Sequence, residues 1–246
     1  MKNPAMREIY SPLATRLSRL TQLEKVDLDA VAASQHFRRH SPARREMLAE
    51  GAPLIETRAI ISGWACRQRI LSDGRRQILN YLLPGDLLGV NHQVNATSLT
   101  SILAVTDVVT CAAPDARAGS GALAEAYALA AELDEHYLLA QITRLGRFSA
   151  SERLIDWMLE IQERLTRAGL ANDQRLSVPL TQEFLADTLG LTSVHVNRTL
   201  QALRRQNLLT IADGTIVLHD QKRLERMVHF KPARPVRTVN VAHRAY

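Results

Sequence analysis

Residues 181–218 read TQEFLADTLGLTSVHVNRTLQALRRQNLLTIADGTIVL, and this stretch decides the fold. Thr181, with Glu183 close behind, supplies a capping residue and an acid at the positive end of a first short helix. Phe184, Leu185 and Leu189 give that helix a buried face, and Gly190 falls where a helix end needs left-handed backbone. Thr192 caps a second helix, in which Val196, Thr199, Leu200 and Leu203 recur on one side at about 100° per residue. The opposite side carries Val194, Arg198, Gln201 and Arg205. Residues 208–211 and 215–218 then flank Asp213-Gly214, a pair suited to a tight hairpin turn. Helix, turn, helix and hairpin predict a winged module of the kind that reads DNA, with the hairpin as the wing.

The outward side of the second helix carries the chemistry. An exposed Val194 among polar neighbours gains nothing from water but suits a thymine methyl. His195 and Arg198 supply donors beside it, and the forked donors of arginine match guanine O6 and N7 together. Ser193, in the first turn, is within reach of a base edge or a phosphate. The expected DNA-facing set is Thr192, Ser193, Val194, His195, Asn197, Arg198, Gln201 and Arg205. Capped helices and a glycine turn also occur in helical subdomains that never touch DNA, so the pattern alone leaves a purely structural reading open.

The same residues resemble the C-terminal domain of the Crp/Fnr family of bacterial transcription regulators. The likeness runs through Thr181-Gln182-Glu183, Leu189-Gly190-Leu191-Thr192, Asn197-Arg198 and Leu203 to Gln206-Asn207-Leu208-Leu209. It implies that Arg198 takes the place of the family's recognition arginine. One position departs: many members carry a glutamate that accepts from cytosine where this chain has Val194, so the expected half-site places a thymine there.

A second likeness, to the β-roll sensor domain of that family, runs through Ala49-Glu50-Gly51, Ser62-Gly63-Trp64, Asp73-Gly74-Arg75-Arg76-Gln77-Ile78 and Leu83-Pro84-Gly85-Asp86-Leu87. Independently of it, glycines at 51, 63, 74 and 85 recur at intervals of 12, 11 and 11, and Asp73-Gly74 and Pro84-Gly85 are strong turn pairs. The runs 64–71, 77–83 and 98–111 between and after them read as short strands of a rolled sheet. Family members that bind cyclic AMP follow their Gly-Glu-Leu step with an arginine for the cyclic phosphate. Here no Lys or Arg follows Gly85-Asp86-Leu87 until Arg117. A buried phosphate needs a cation or a nest of amides, so a cyclic nucleotide is not expected, and neither is a cofactor.

From Gly121 the composition turns helical, with Leu123, Ala126, Ala130, Leu133, Tyr137 and Ala140 spaced three and four apart. This stripe is expected to be a dimer seam, with packing on the chain's own roll as the competing explanation. Leu154, Trp157, Met158, Ile161 and Leu165 mark a further amphipathic helix, leading to a linker over residues 169–177.

The 246 residues leave room for two domains, and 46% hydrophobic with 23% charged side chains is ordinary globular composition. Residues 1–10 lack an apolar run of signal-peptide length, and no stretch of about 18 uncharged apolar residues occurs, so a cytoplasmic protein without membrane attachment is expected. The net charge is +6, with ten basic against five acidic side chains in residues 181–246. Most of that surplus lies in Lys222, Arg223, Arg226, Lys231, Arg234, Arg237 and Arg244, a basic tail that either adds affinity for phosphates or is a solvated, frayed end. Cys66 and Cys111 are the two cysteines, too few for a thiolate zinc site or a four-cysteine iron–sulfur cluster. Both sit in strand-like apolar stretches, where a thiol behaves as a small hydrophobe.

Two enzyme-like signals are weak. Gly119-Ser120-Gly121-Ala122-Leu123-Ala124 has the letters GxGxxA, but no strand leads directly into it and no ribose-binding acid follows. His36 and His40 have the spacing of two metal ligands on one helix face, yet Arg38, Arg39, Arg44 and Arg45 surround them. No GxSxG, P-loop or HExxH is present.

The expected architecture is therefore α+β: a β-roll of the cyclic-nucleotide-binding jelly-roll type over residues 1–118, a long dimerisation helix over 119–148, and a winged helix-turn-helix with the basic tail over 149–246. No enzyme is expected. The resemblance implies a homodimer on a pseudo-palindromic double-stranded DNA site, with RNA polymerase as a further partner. The alternatives are a nucleotide-dependent oxidoreductase using the GxGxxA segment, and a regulator that still binds a cyclic nucleotide.

Overall fold

The computed structural model of the chain describes residues 11–90, 95–116, 120–171, 175–212 and 214–235. Two helices precede the roll, α1 (Pro12–Leu20) and α2 (Lys25–Ser34), neither of which the strand-and-turn reading of the first 118 residues anticipated. Ser11 accepts from the Ala14 N–H, Pro12 occupies the first turn, and Leu13, Leu17 and Leu20 make the buried face of α1.

The roll comprises β1 (Arg38–Ser41), β2 (Glu46–Leu48), β3 (Arg58–Ser62), β4 (Ala65–Ile70), β5 (Arg76–Leu82), β6 (Leu87–Leu88), β7 (Ser101–Ala104) and β8 (Val108–Ala112). They form two four-stranded antiparallel sheets, ordered β1-β8-β3-β6 and β2-β7-β4-β5. Ile60, Ala65, Leu82, Leu88, Ile102, Ala104 and Val108 fill the space between them. At the β3–β4 corner Gly63 has φ +83°, and a Cβ there would lie 2.0 Å from the Asp107 carbonyl oxygen, so the corner admits glycine alone. His40 lies in β1 and His36 in the turn before it, so the pair shares no helix face and the spacing that suggested metal ligands has no meaning here. The described part of the GxGxxA segment follows antiparallel strands rather than a parallel βαβ unit, and the Ser120 hydroxyl donates to Asp27 at 2.7 Å; Gly119 lies outside the described residues.

Helix α3 (Ala122–Arg147) has 26 residues and so runs for about 39 Å. The expected dimer seam on it needs correction. Leu123, Ala126, Ala130, Leu133 and Tyr137 are buried within the single chain, in one cluster with Leu13, Leu17, Ala59, Leu87 and Cys111, because α1 and the roll cover that stripe. Ala124, Ala128, Ala131, Glu135, Leu139 and Ile142 face solvent instead, and Ile142 is 68% exposed.

Ser149 and Glu152 form a capping box that starts α4 (Ala150–Arg167), whose Leu154, Trp157, Met158, Ile161 and Leu165 are buried as expected from their spacing. The supposed linker holds a strand, β9 (Arg175–Ser177), too short to announce itself in the sequence. After it come α5 (Gln182–Leu189), α6 (Ser193–Arg205), β10 (Leu209–Ala212), β11 (Thr215–Leu218) and α7 (Gln221–Val228). The last sheet has the order β10-β11-β9, so the wing is three-stranded; Asp213 of its turn lies outside the described residues. Lys222, Arg223 and Arg226 of the expected basic tail belong to α7, and Lys231 and Arg234 are exposed beyond it. That part is no frayed end: Ala233 is buried and its carbonyl accepts from Arg167 Nη2 at 2.6 Å. Arg237 and Arg244 lie outside the described residues.

Candidate nucleic-acid interface

Local chemistry builds the second helix and aims it. The Thr181 hydroxyl accepts from the Phe184 N–H, starting α5. Gly190 ends it in left-handed backbone, φ 62° and ψ 40°, and the Leu191 N–H returns to the Ala186 carbonyl at 3.0 Å. The Thr192 hydroxyl then accepts from the His195 N–H at 3.2 Å and opens α6. Val196, Thr199, Leu200 and Leu203 are buried, the Thr199 hydroxyl donating to the His195 carbonyl of the preceding turn.

All eight residues expected to face DNA are exposed: Thr192, Ser193, Val194, His195, Asn197, Arg198, Gln201 and Arg205. At 100° per residue, Val194, Arg198, Gln201 and Arg205 form one stripe, with Ser193 and Asn197 along one edge and His195 along the other. Val194 is 62% exposed, a solvation cost that a partner surface would remove. Arg198, Arg204 and Arg205 enter none of the ion pairs found among the described residues.

A shallow cleft of about 650 Å³ runs beside this stripe, between Thr192, Val194, His195, Arg198, Thr199 and Ala202 of the α6 segment and Ser149, Ala150 and Ser151 at the start of α4. The latter three escaped the reading of the sequence as site residues. Their signal is the pair Ser149 and Glu152, a capping box that marks a helix N-terminus, takes up the Ser149 and Glu152 N–H groups and leaves those of Ala150 and Ser151 for an anion.

The roll presents a different chemistry. A cavity of about 470 Å³ is lined by Leu54, Leu79, Leu87, Ile102 and Leu138 together with Arg16, Arg67 and Asp134. Two cations thus reach a region whose own sequence segment supplies none, Arg16 from α1 and Arg67 from β4. Both are engaged. Arg67 Nη2 donates to Asp134 at 2.9 Å, and Arg16 is paired with Asp86 and lies 4.0 Å from Asp134. Asp86 also accepts from Arg164 Nη2 and the Leu83 N–H, each at 2.7 Å. Burial lowers the Arg16 pKa against the opposing pull of Asp134. A cyclic phosphate placed here would meet the Asp134 carboxylate, and the two arginines of the described lining are already paired with acids. Burial also pushes the Cys66 thiol up to about 12, and Cys111 is raised by burial as well, so neither is a thiolate at neutral pH.

Known proteins share this combination of parts. Residues 152–227 match the Crp-like helix-turn-helix domain, and residues 38–118 match the cyclic nucleotide-binding domain. The nitrogen fixation regulation protein FixK of Bradyrhizobium diazoefficiens is 33% identical over 178 residues, spanning 68% of this chain and 72% of that protein. The transcriptional activatory protein AadR of Rhodopseudomonas palustris is 29% identical over 197 residues, 79% of this chain and 81% of that protein. In fold, the chain is similar to FixK2 from Bradyrhizobium japonicum, with a TM-score of 0.67 and 24% identity over 81% of this chain and 98% of that one. It is also similar in fold to TTHB099, a regulator of the CRP family from Thermus thermophilus, with a TM-score of 0.63 and 20% identity over 80% of this chain and 100% of that one. Two domain matches in the right order, a relative matched over most of its length and the shared fold place the chain in the Crp/Fnr family, as a transcription regulator that binds DNA through its helix-turn-helix.

Proposed function

We propose that the protein acts as a homodimer on a pseudo-palindromic double-stranded DNA site, each α6 entering a major groove. The observation that carries this reading is the open stripe Val194, Arg198, Gln201 and Arg205, apolar at one point, cationic at two and free of ion-pair partners for its arginines among the described residues. Arg198 is the residue for a base or phosphate contact, Val194 for a thymine methyl, and Thr192, Ser193, His195, Asn197, Gln201 and Arg205 for flanking contacts. The first turn of α4 at Ser149, Ala150 and Ser151 is suited to a phosphate across the cleft.

The stripe left open on α3 supports the dimer. Ala124, Ala128, Ala131, Glu135, Leu139 and Ile142 are exposed and recur at steps of four and three, the spacing of one helix face, and the small residues at its N-terminal end permit close approach. An isologous pairing through this face would give the dimer the two-fold axis of a palindrome, on which the two α6 helices must stand about 34–36 Å apart, one turn of DNA. In this reading residues 1–118, 119–148 and 149–246 are sensor roll, dimer helix and DNA-reading unit. RNA polymerase is the further partner, by likeness to a relative named as an activatory protein. The protein works in the cytoplasm and is not an enzyme: its relatives are regulators, and no described helix is long and apolar enough to cross a membrane. Its effector, if one enters the roll, is not a cyclic nucleotide, because Arg16 and Arg67 are already paired with carboxylates.

Selection of duplexes from a random pool by the purified protein tests the reading. An enriched inverted repeat with half-site centres about 10 base pairs apart is expected. Enrichment of no sequence, or of single half-sites only, counts against it. Sedimentation should give twice 27.4 kDa, reduced to the single-chain mass by Ile142→Glu.

A further inference from the structure

The last carbonyls of a helix have no partners within it and are usually met by water or a cap. At the end of α5, the first helix of the helix-turn-helix, they are met by side chains from three other elements. The Asp187 carbonyl accepts from Gln77 Nε2 of β5 at 2.8 Å, the Thr188 carbonyl from Gln141 Nε2 of α3 at 2.6 Å, and the Leu189 carbonyl from Arg153 Nη1 of α4 at 2.9 Å. The two glutamine amides also span the joint, since Gln77 Nε2 reaches the Thr188 carbonyl at 3.4 Å and Gln141 Nε2 the Ile78 carbonyl at 3.5 Å.

Further contacts reinforce this joint. Arg76 Nε donates to Asp187 at 2.7 Å, and its guanidinium lies 4.5 Å from the Phe184 ring centroid. The Tyr81 and Thr188 hydroxyls are 2.7 Å apart, with Thr188 1% exposed. One continuous apolar cluster surrounds the polar seam, taking Ile78 and Tyr81 from the roll and Phe184, Leu189 and Val196 from the DNA-reading unit. Past Leu189 only Gly190 to Thr192 separate this anchored turn from α6.

We propose that Gln77 and Gln141 are positioning residues for DNA reading. By holding the end of α5 to β5 and α3, they set where α6 stands relative to the dimer helix, and so which separation of half-sites a dimer accepts. A swing about the α3–α4 elbow at Phe148 and Ser149 would require both amide clasps to open together. The inference rests on the dimer-on-palindrome reading and extends it to a direct link between roll and reading unit that does not pass through the elbow.

The test uses the duplex enriched by the wild-type protein, the same duplex with one base pair added to or removed from its centre, and a duplex with a single half-site. The Gln77→Leu/Gln141→Leu protein is expected to bind the enriched duplex at least tenfold more weakly and to lose most of its discrimination among spacings. Its half-site binding should match wild type, whereas Arg198→Ala loses affinity for every duplex. An independent pair guards against misfolding: Arg76→Glu should broaden the spacing preference, and adding Asp187→Arg should restore it. An unchanged spacing profile, or an equal loss on all duplexes including the half-site, overturns the inference. Failure of the wild-type protein to enrich any duplex would instead remove the reading on which it rests.

Discussion

The interior between the roll, α3 and α4 and the outward side of α6 treat their arginines oppositely. Between the roll, α3 and α4, Arg144 holds Asp156 at 2.8 Å and Glu160 at 2.6 Å, and Arg164 holds Asp86 at 2.7 Å and Glu160 at 3.1 Å, all of them buried. On α6, Arg198, Arg204 and Arg205 stand in water, with no acid among the described residues paired to them. A buried guanidinium without a carboxylate would carry its full desolvation cost, so the interior cations had to be matched by acids of the same chain. An exposed cation faces no such demand and remains available for a phosphate or a base edge. Charge alone therefore does not mark the DNA surface, and exposed Arg38, Arg45 and Arg147 also enter none of the ion pairs found among the described residues; what sets α6 apart is that its unpaired Arg198 and Arg205 share one open stripe with Val194. The electrostatics agree: Glu160 and Asp156 hold the Arg144 pKa above its ordinary value although burial would lower it, and burial lifts the Asp156 carboxyl against the pull of Arg144.

Four measurements would sharpen or break that contrast. Arg144→Leu should have the largest effect, about 3–5 kcal/mol of stability in urea unfolding, because Asp156 and Glu160 keep their burial and lose their cation; a loss below about 1 kcal/mol would mean that the interior pairs are replaceable. Arg198→Ala should weaken operator binding by about 1–3 kcal/mol with the unfolding midpoint unchanged, as titration of the enriched duplex would show. Should it destabilise the fold and leave binding intact, the two classes of arginine would not differ. Thr192→Ala removes the cap on α6 and should lower stability by about 1 kcal/mol, read by thermal melting, with a smaller effect on DNA than Arg198→Ala. Finally, neither Cys66 nor Cys111 should react with a thiol reagent at pH 8 in the native protein, while both should react in denaturant. Rapid native labelling would show that the interior opens far more readily than its satisfied ion pairs suggest.

The exposed site was legible because its causes are local. Caps at Thr181 and Thr192, left-handed backbone at Gly190 and a 3.6-residue period place Val194 and Arg198 outward whatever else the chain does. On α3 the same periodicity was ambiguous. It marked the stripe from Leu123 to Tyr137 without telling a dimer seam from packing on the chain's own roll, and α1, absent from the strand-based reading, covers that stripe and leaves Ala124 to Ile142 open. Residues 169–177 read as a linker because three residues of β9 carry no period, and they become a strand only when β11 pairs with them. The roll was read as lacking a cation after Gly85, correctly for that segment, but Arg16 arrives from α1, some 70 residues earlier in the chain.

By itself, then, the sequence determined the kind of module at each end of the chain and which side of α6 faces out, since short-range hydrogen bonds and helical period leave little choice. Tertiary structure alone decided which stripe of α3 remains open, which arginines are already satisfied, and how the end of α5 is clasped by Gln77 and Gln141. Those outcomes depend on groups far apart in the chain competing for the same partners, and only the folded arrangement brings the competitors together.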